Sequence, residues 1–263
     1  MAEQSTIRYP SPEHARAAES IVQFFSVELG VAAVLLVGAC VRGKATRDTD
    51  LDILVLRAPG TTEADQLTLA RRWERFQRQD ASFRVLEGVG KYTEVDLEFG
   101  DGWFAPKPRG WTTGPDDFEL QIGNTLVYSV PLLENGEYLQ QLKGQWLPYY
   151  DEVLRRERLA AVRRYFQNDL DHIPLFIERR LYFQSFDRLY NMFHEFLQAL
   201  FIARRAYPIS YYKWIREQVE EILGLPELYR KLPQLFEVRQ FESREIAEKA
   251  NGLAGLLEEY VVE

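Results

Sequence analysis

The chain has 263 residues, 46% of them apolar and 27% charged, and a formal net charge of −8. That composition is globular, and it is long enough for one large domain or two modest ones. The negative balance argues against a nucleic-acid partner, whose phosphates need arranged Lys and Arg, and favours cationic small molecules. No uncharged apolar run approaches the ~18 residues of a membrane span, and the polar opening MAEQSTIRYPSPEHARAAES is unlike a signal or transit peptide, so a cytoplasmic location is expected. A single cysteine, Cys40, excludes a disulfide framework or clustered-cysteine zinc site, and His14, His172 and His194 are too scattered for a histidine metal centre. Any bound metal must then be held by carboxylates.

In chain order, Ser11-Pro12-Glu13 reads as an N-cap with proline at the first helical position. Ala18, Ile21, Val22, Phe25 and Leu29 follow at helical spacing up to Gly30. Residues 31–37 form a continuous apolar run, the pattern of a strand buried on both faces, and residues 52–56 form a second. Residues 63–79 read as a helix, and residues 83–86 and 92–99 as further strands. The Gly- and Pro-rich stretch GDGWFAPKPRGWTTGPDD reads as a loop. From Gly136 onward the pattern is helical, over 151–170, 175–207, 211–223 and 244–260, with Pro174, Pro208 and Pro226 as punctuation. The expected class is α+β, with a small mixed-sheet domain over residues 1–130 and an all-helical domain over 131–263.

The chemistry concentrates in VLLVGACVRGKATRDTDLDILVL. Asp50 and Asp52 are two apart and share one face of an extended segment, while Leu51 and Ile53 point to the core. In YTEVDLEF the residues Val95, Leu97 and Phe99 take one face, and Glu94, Asp96 and Glu98 the other. If the two strands are neighbours, three carboxylates converge; such a cluster repels itself unless it holds a cation, and all-oxygen ligation suits Mg²⁺ or Mn²⁺ completed by substrate phosphates. Asp96 is the favoured third acid, with Glu94 next and Glu98 on the same face. Gly38 lets backbone approach a ligand closely, amides of a short helix over residues 39–43 can meet phosphate oxygens, and Arg42, Lys44 and Arg47 add positive charge. Cys40 reads as a small buried residue.

Gly38-Ala39, ten intervening residues and then Asp50-Leu51-Asp52 in a following strand resemble the nucleotidyltransferase superfamily, which includes DNA polymerase beta and the aminoglycoside and lincosamide nucleotidyltransferases. Gly43 and Thr49 also fall where the antibiotic-modifying members carry Gly and Ser. The resemblance covers roughly residues 15–100. It implies transfer of a nucleoside monophosphate from a nucleoside triphosphate, ATP foremost, to a hydroxyl of a small-molecule acceptor, a cationic antibiotic among the candidates, with release of pyrophosphate. Under it Asp50, Asp52 and Asp96 are metal ligands, Glu94 is the alternative acid, and Gly38, Ala39, Arg42, Lys44 and Lys213 contact the nucleotide. Ala39 stands where the family carries Ser or Gly, so backbone amides must replace a hydroxyl. In the helical half, Glu195 matches a general-base glutamate of the antibiotic-adenylating relatives, and Arg188 with His194 fits the loose Arg-x(4–6)-His pattern of HEPN ribonucleases. The other reading is a catalytically silent nucleotide-binding or toxin-antitoxin interaction module, or transfer to protein or RNA.

Overall fold

The computed structural model describes residues 7–262. The first residues of the segment read as carrying no leader therefore lie outside the described part. Among the described residues no helix is long and apolar enough to cross a membrane. The chain divides into two compact units, residues 1–104 with 124–146, and residues 105–123 with 147–263.

The first unit opens with α1 (Pro12–Phe25), whose Ser11 side chain caps the His14 amide and whose Ala17, Ala18, Ile21 and Phe25 are buried. It continues through β1 (Val31–Leu36), the single helical turn α2 (Gly38–Val41), β2 (Leu51–Arg57), α3 (Glu63–Gln79), α4 (Ala81–Glu87) and β3 (Val95–Gly100). Every residue of β1 is buried, as its unbroken apolar sequence requires. A capping box starts α3, with Thr62 and Asp65 bonding each other's amides.

Residues 83–86, expected as a strand, are helical. Asp80 caps the Ser82 amide at 2.8 Å, and Phe83 and Leu86, three apart, are buried on one face. A short apolar run carries no period long enough to distinguish the two structures, so the cap decides.

The five-residue helix α5 (Phe118–Ile122) belongs to the second unit, after which the chain returns to the first through a π-helical turn (Gly123–Val127), β4 (Val130–Glu134) and α6 (Tyr138–Trp146). The sheet order is β3-β2-β1-β4. β1 is antiparallel to β2 and β4, whereas β2 and β3 run parallel. No strand was expected at 130–134, and Pro131 within it cannot donate to a ladder. At the sheet edge that loss is tolerated, and β1 bends its register with β4 between Val34 and Leu35.

The second unit is built on α7 (Glu152–Glu178), α8 (Tyr182–Arg204) and α10 (Glu245–Tyr260), with α9 (Pro226–Lys231) and shorter turns between the last two. α7 runs straight past Pro174, where a helix boundary was expected, and stops only at Arg179, followed by Arg180 at φ 60°. Burial of Ile173 and Phe176 on either side of the proline offsets a penalty of about 3 kcal/mol. The helix expected over 211–223 is confined mainly to a π-helical stretch, Glu217–Ile222.

The reason lies in Gln218, which is buried and uses both ends of its amide. Its oxygen accepts from the Ile209 and Ser210 amides at 2.7 and 3.3 Å, and its nitrogen donates to the Ser210 and Lys213 carbonyls at 2.7 and 2.9 Å. The Ser210 hydroxyl accepts from the Tyr212 and Lys213 amides, and Trp214 takes a left-handed φ of 58°. This side chain replaces the secondary structure that the 209–214 loop lacks. Gln218→Leu leaves buried backbone groups unpaired, and a loss of about 1–3 kcal/mol per stranded group is expected, read as a lower urea midpoint.

Candidate active site

β1, α2 and β2 place the glycine turn against the Asp50–Asp52 segment. The Val37 amide bonds the Asp52 carbonyl at 3.0 Å, and the Leu51 amide bonds the Glu94 carbonyl at 2.8 Å, so one stretch of β2 is tied to the turn and to the start of β3. Leu51 and Ile53 are buried and Asp52 is half-buried, in agreement with the alternation read from the sequence.

Gly38 has φ +70°, a region that L side chains avoid. A Cβ built on it would lie 1.7 Å from Asp52 Oδ2 and 2.7 Å from its Cγ. The Asp52 carboxylate therefore occupies the space that a side chain at 38 would fill. No other residue type fits there without displacing it.

In the parallel ladder Asp52 is the partner of Asp96, with Leu51 opposite Val95 and Ile53 opposite Leu97. Val95, Leu97 and Phe99 pack on the core of this unit, while Glu94, Asp96 and Glu98 are exposed. Of the three candidate acids, Asp96 is thus the one in register with Asp52; Glu94 lies one ladder step before Leu51. Asp50 precedes β2 and is half-buried.

Cys40 connects the two aspartates. Its thiol is 3% exposed and points to the Asp50 carbonyl at 3.8 Å. Its pKa is pushed up to about 11, first by burial and then by the negative charges of Asp52 and Asp50. Both carboxylates therefore act on one buried thiol, which stays protonated at neutral pH. The same thiol, after burial itself, helps raise Tyr9 to about 12.

The loop that follows is built by internal contacts. Arg42 Nη1 donates to the Gly38 carbonyl at 2.8 Å, and the Lys44 amide to the Ala39 carbonyl at 3.1 Å. Thr49 Oγ1 accepts from the Thr46 amide at 2.8 Å, and buried His14 bridges Ser11 Oγ and the Thr49 carbonyl, each at 2.8 Å. His14 thus pins α1 to the segment leading into Asp50, a role that its isolated position in the sequence did not reveal. Ala39 is half-buried in the single turn of α2, whose N-cap Val37 makes no side-chain cap. Lys213 is exposed on the Gln218-held loop of the second unit.

Glu195, Arg188 and His194 stand differently from an exposed catalytic set. Glu195 and Arg188 are buried and paired with Arg109 and Asp169, respectively. Burial lowers His194 to about 4, so its imidazole is neutral at physiological pH.

Asp50, Asp52 and Asp96 offer carboxylate oxygens, the donor type that suits a hard divalent cation, and the space beside Gly38 accommodates one of these carboxylates. Among the described residues no three His, Cys, Asp or Glu side chains are closed into a ready cation cage.

Gly38→Ala and Asp52→Ala are expected to be non-additive. Ala at φ +70° costs about 1–2 kcal/mol and collides with the carboxylate, and Ala at position 52 removes the contacts with Oδ2 and Cγ while leaving its own Cβ at 3.0 Å. A double-mutant cycle on urea denaturation checks this, and full additivity would mean that the two residues do not meet.

Residues 17–99 match the family described as the nucleotidyltransferase domain. No curated protein matches the chain. Among solved structures, one described as a toxin-antitoxin with AMP-PNP is similar at 14% identity and a TM-score of 0.33, over 56% of this chain and 96% of that one. The residues that hold Asp52 against Gly38 lie within the matched span, and over that span the chain carries a nucleotidyltransferase domain.

Proposed function

We propose that the chain transfers a nucleoside monophosphate from a nucleoside triphosphate, ATP foremost, to the hydroxyl of a small acceptor, with Asp50, Asp52 and Asp96 as the acidic centre. The observation that carries this reading is the packing of Asp52 on Gly38, in ladder register with Asp96, inside the nucleotidyltransferase domain. Asp50, Asp52 and Asp96 would hold Mg²⁺ or Mn²⁺, which would neutralise charge on the triphosphate and on the departing pyrophosphate.

The turn from Gly38 to Ala39 lets its backbone approach the phosphates where the family's hydroxyl is missing. Arg42 and Lys44 supply positive charge to them. Asp96, with Glu94 as the alternative, takes the proton of the acceptor hydroxyl as its oxygen attacks the α-phosphorus and the bond to the β-phosphate breaks. The exposed acids Glu94, Asp96 and Glu98 favour an acceptor that is cationic, as an aminoglycoside-type antibiotic is.

Asp50→Asn and Asp52→Asn nearly preserve volume while each removes a charge. Each is expected to lower acceptor-dependent pyrophosphate release by a factor on the order of 100, about 2.7 kcal/mol of barrier, with the fold intact by circular dichroism. Full activity in both variants sinks the proposed centre. A nucleoside triphosphate with Mg²⁺ is expected to raise the melting temperature more than either alone, and Asp96→Asn to abolish that synergy; calorimetry across the nucleotides decides both.

A further inference from the structure

Asp52 is fixed by the β2 ladder and by its seat on Gly38, but Asp50 comes one residue before the strand and stands outside both ladders of β2. Its backbone is placed by groups that arrive from other elements of the first unit. The Thr49 carbonyl accepts at 2.8 Å from Nε2 of His14, which is wholly buried in α1. The Asp50 carbonyl faces the Cys40 thiol of α2, and the Leu51 amide donates to the Glu94 carbonyl at the entrance to β3.

Asp48 supplies a further contact, although the residue is otherwise exposed. Its Oδ1 lies over Gly90, where a Cβ would stand 2.3 Å from that oxygen and 3.0 Å from the Asp48 Cα, and it accepts from the Lys91 amide at 3.4 Å. The turn beneath it is stiffened by buried Thr93, whose hydroxyl accepts from the Gly90 amide at 3.0 Å and donates to the Leu86 carbonyl at 2.8 Å. That turn leads directly into β3 and Asp96. Gly90, unlike Gly38, has no left-handed backbone angle, so the approach of Asp48 is what calls for glycine there.

His14 is held as firmly as it holds. A carbonyl can only accept, so Nε2 carries the hydrogen that meets Thr49, and the Ser11 hydroxyl donates to Nδ1 at 2.8 Å. Both ring nitrogens are engaged, and the imidazole cannot turn without breaking a buried hydrogen bond.

We infer that His14 and Asp48 are positioning residues for the acidic centre: His14 sets the backbone from which Asp50 projects, and Asp48 on Gly90 sets that backbone against the turn that delivers Asp96. The inference rests on the centre proposed above and adds two residues outside its ligand set. Residues 46–48 are exposed, so the loop before Asp50 has little packing of its own and depends on these outside anchors. A displacement of about 1 Å in such a group can cost on the order of 100-fold in rate, so the anchors bear on function and not only on stability.

The test reads the Mg²⁺ concentration that gives half of the ATP-dependent rise in melting temperature, which needs no knowledge of the acceptor. His14→Leu is expected to raise that half-point about tenfold, the size of one or two lost hydrogen bonds, while ATP affinity in EDTA stays within about twofold of wild type. His14→Gln, whose amide nitrogen can still donate to the Thr49 carbonyl, is expected to return the half-point to within about threefold. Gly90→Ala, in a surface turn with an ordinary backbone angle, keeps the test available where the buried His14 substitution does not fold. It is expected to raise the half-point as Asp48→Ala does, with the double variant no worse than either single one, because both act on the same contact.

Variants that lower the ligand-free melting temperature but leave the Mg²⁺ half-point at the wild-type value would show a structural role alone and overturn the inference, as would equal behaviour of His14→Leu and His14→Gln. Asp52→Asn is the control for the centre itself. If it too leaves the half-point unmoved, or if ATP with Mg²⁺ gives the wild type no rise, the acidic centre is overturned and the inference with it.

Discussion

The candidate site rests on one steric fact, that Asp52 needs the space a side chain at position 38 would take. Glycine is required there twice over, by a backbone angle that side chains avoid and by a carboxylate oxygen within bonding distance of where Cβ would sit. From that contact the rest follows. The Val37 amide ties the turn to the Asp52 carbonyl, β2 carries the acid next to β3, and Asp96 arrives in register. A buried β1 gives the turn a rigid base, and His14 fixes the far end of the loop.

The second unit uses charge where the first uses shape. Its helices bury a large apolar core, and the segment from 105 to 123 buries Phe118 and Ile122 while its Arg109, Asp116 and Glu119 pair with charges on α7 and α8. A buried polar network of this kind gives one arrangement of the segment a strong preference, provided every member is satisfied.

Local chemistry explains where sequence reading and structure part. Residues 83–86 have the composition of a strand, but the Asp80 cap and the spacing of Phe83 and Leu86 commit them to a helix. Pro174 looks like a boundary, and the apolar residues around it keep α7 continuous. Pro131 hides β4, since only an edge position makes a proline compatible with pairing.

The sequence by itself determined the sheet-forming runs, the faces of the acidic strands and the Gly38 to Asp52 spacing, because strand alternation and glycine's conformational range are properties of a residue and its near neighbours. It also showed that Asp50 and Asp52 would be found together, since two residues of extended chain cannot separate them. Which acid of β3 stands beside Asp52 was left to the tertiary structure, because register is set by packing across strands and not within one. The burial of Glu195 against Arg109 was decided in the same way. Those two residues lie 86 positions apart, and nothing along the chain records that folding will bring their charges together out of water.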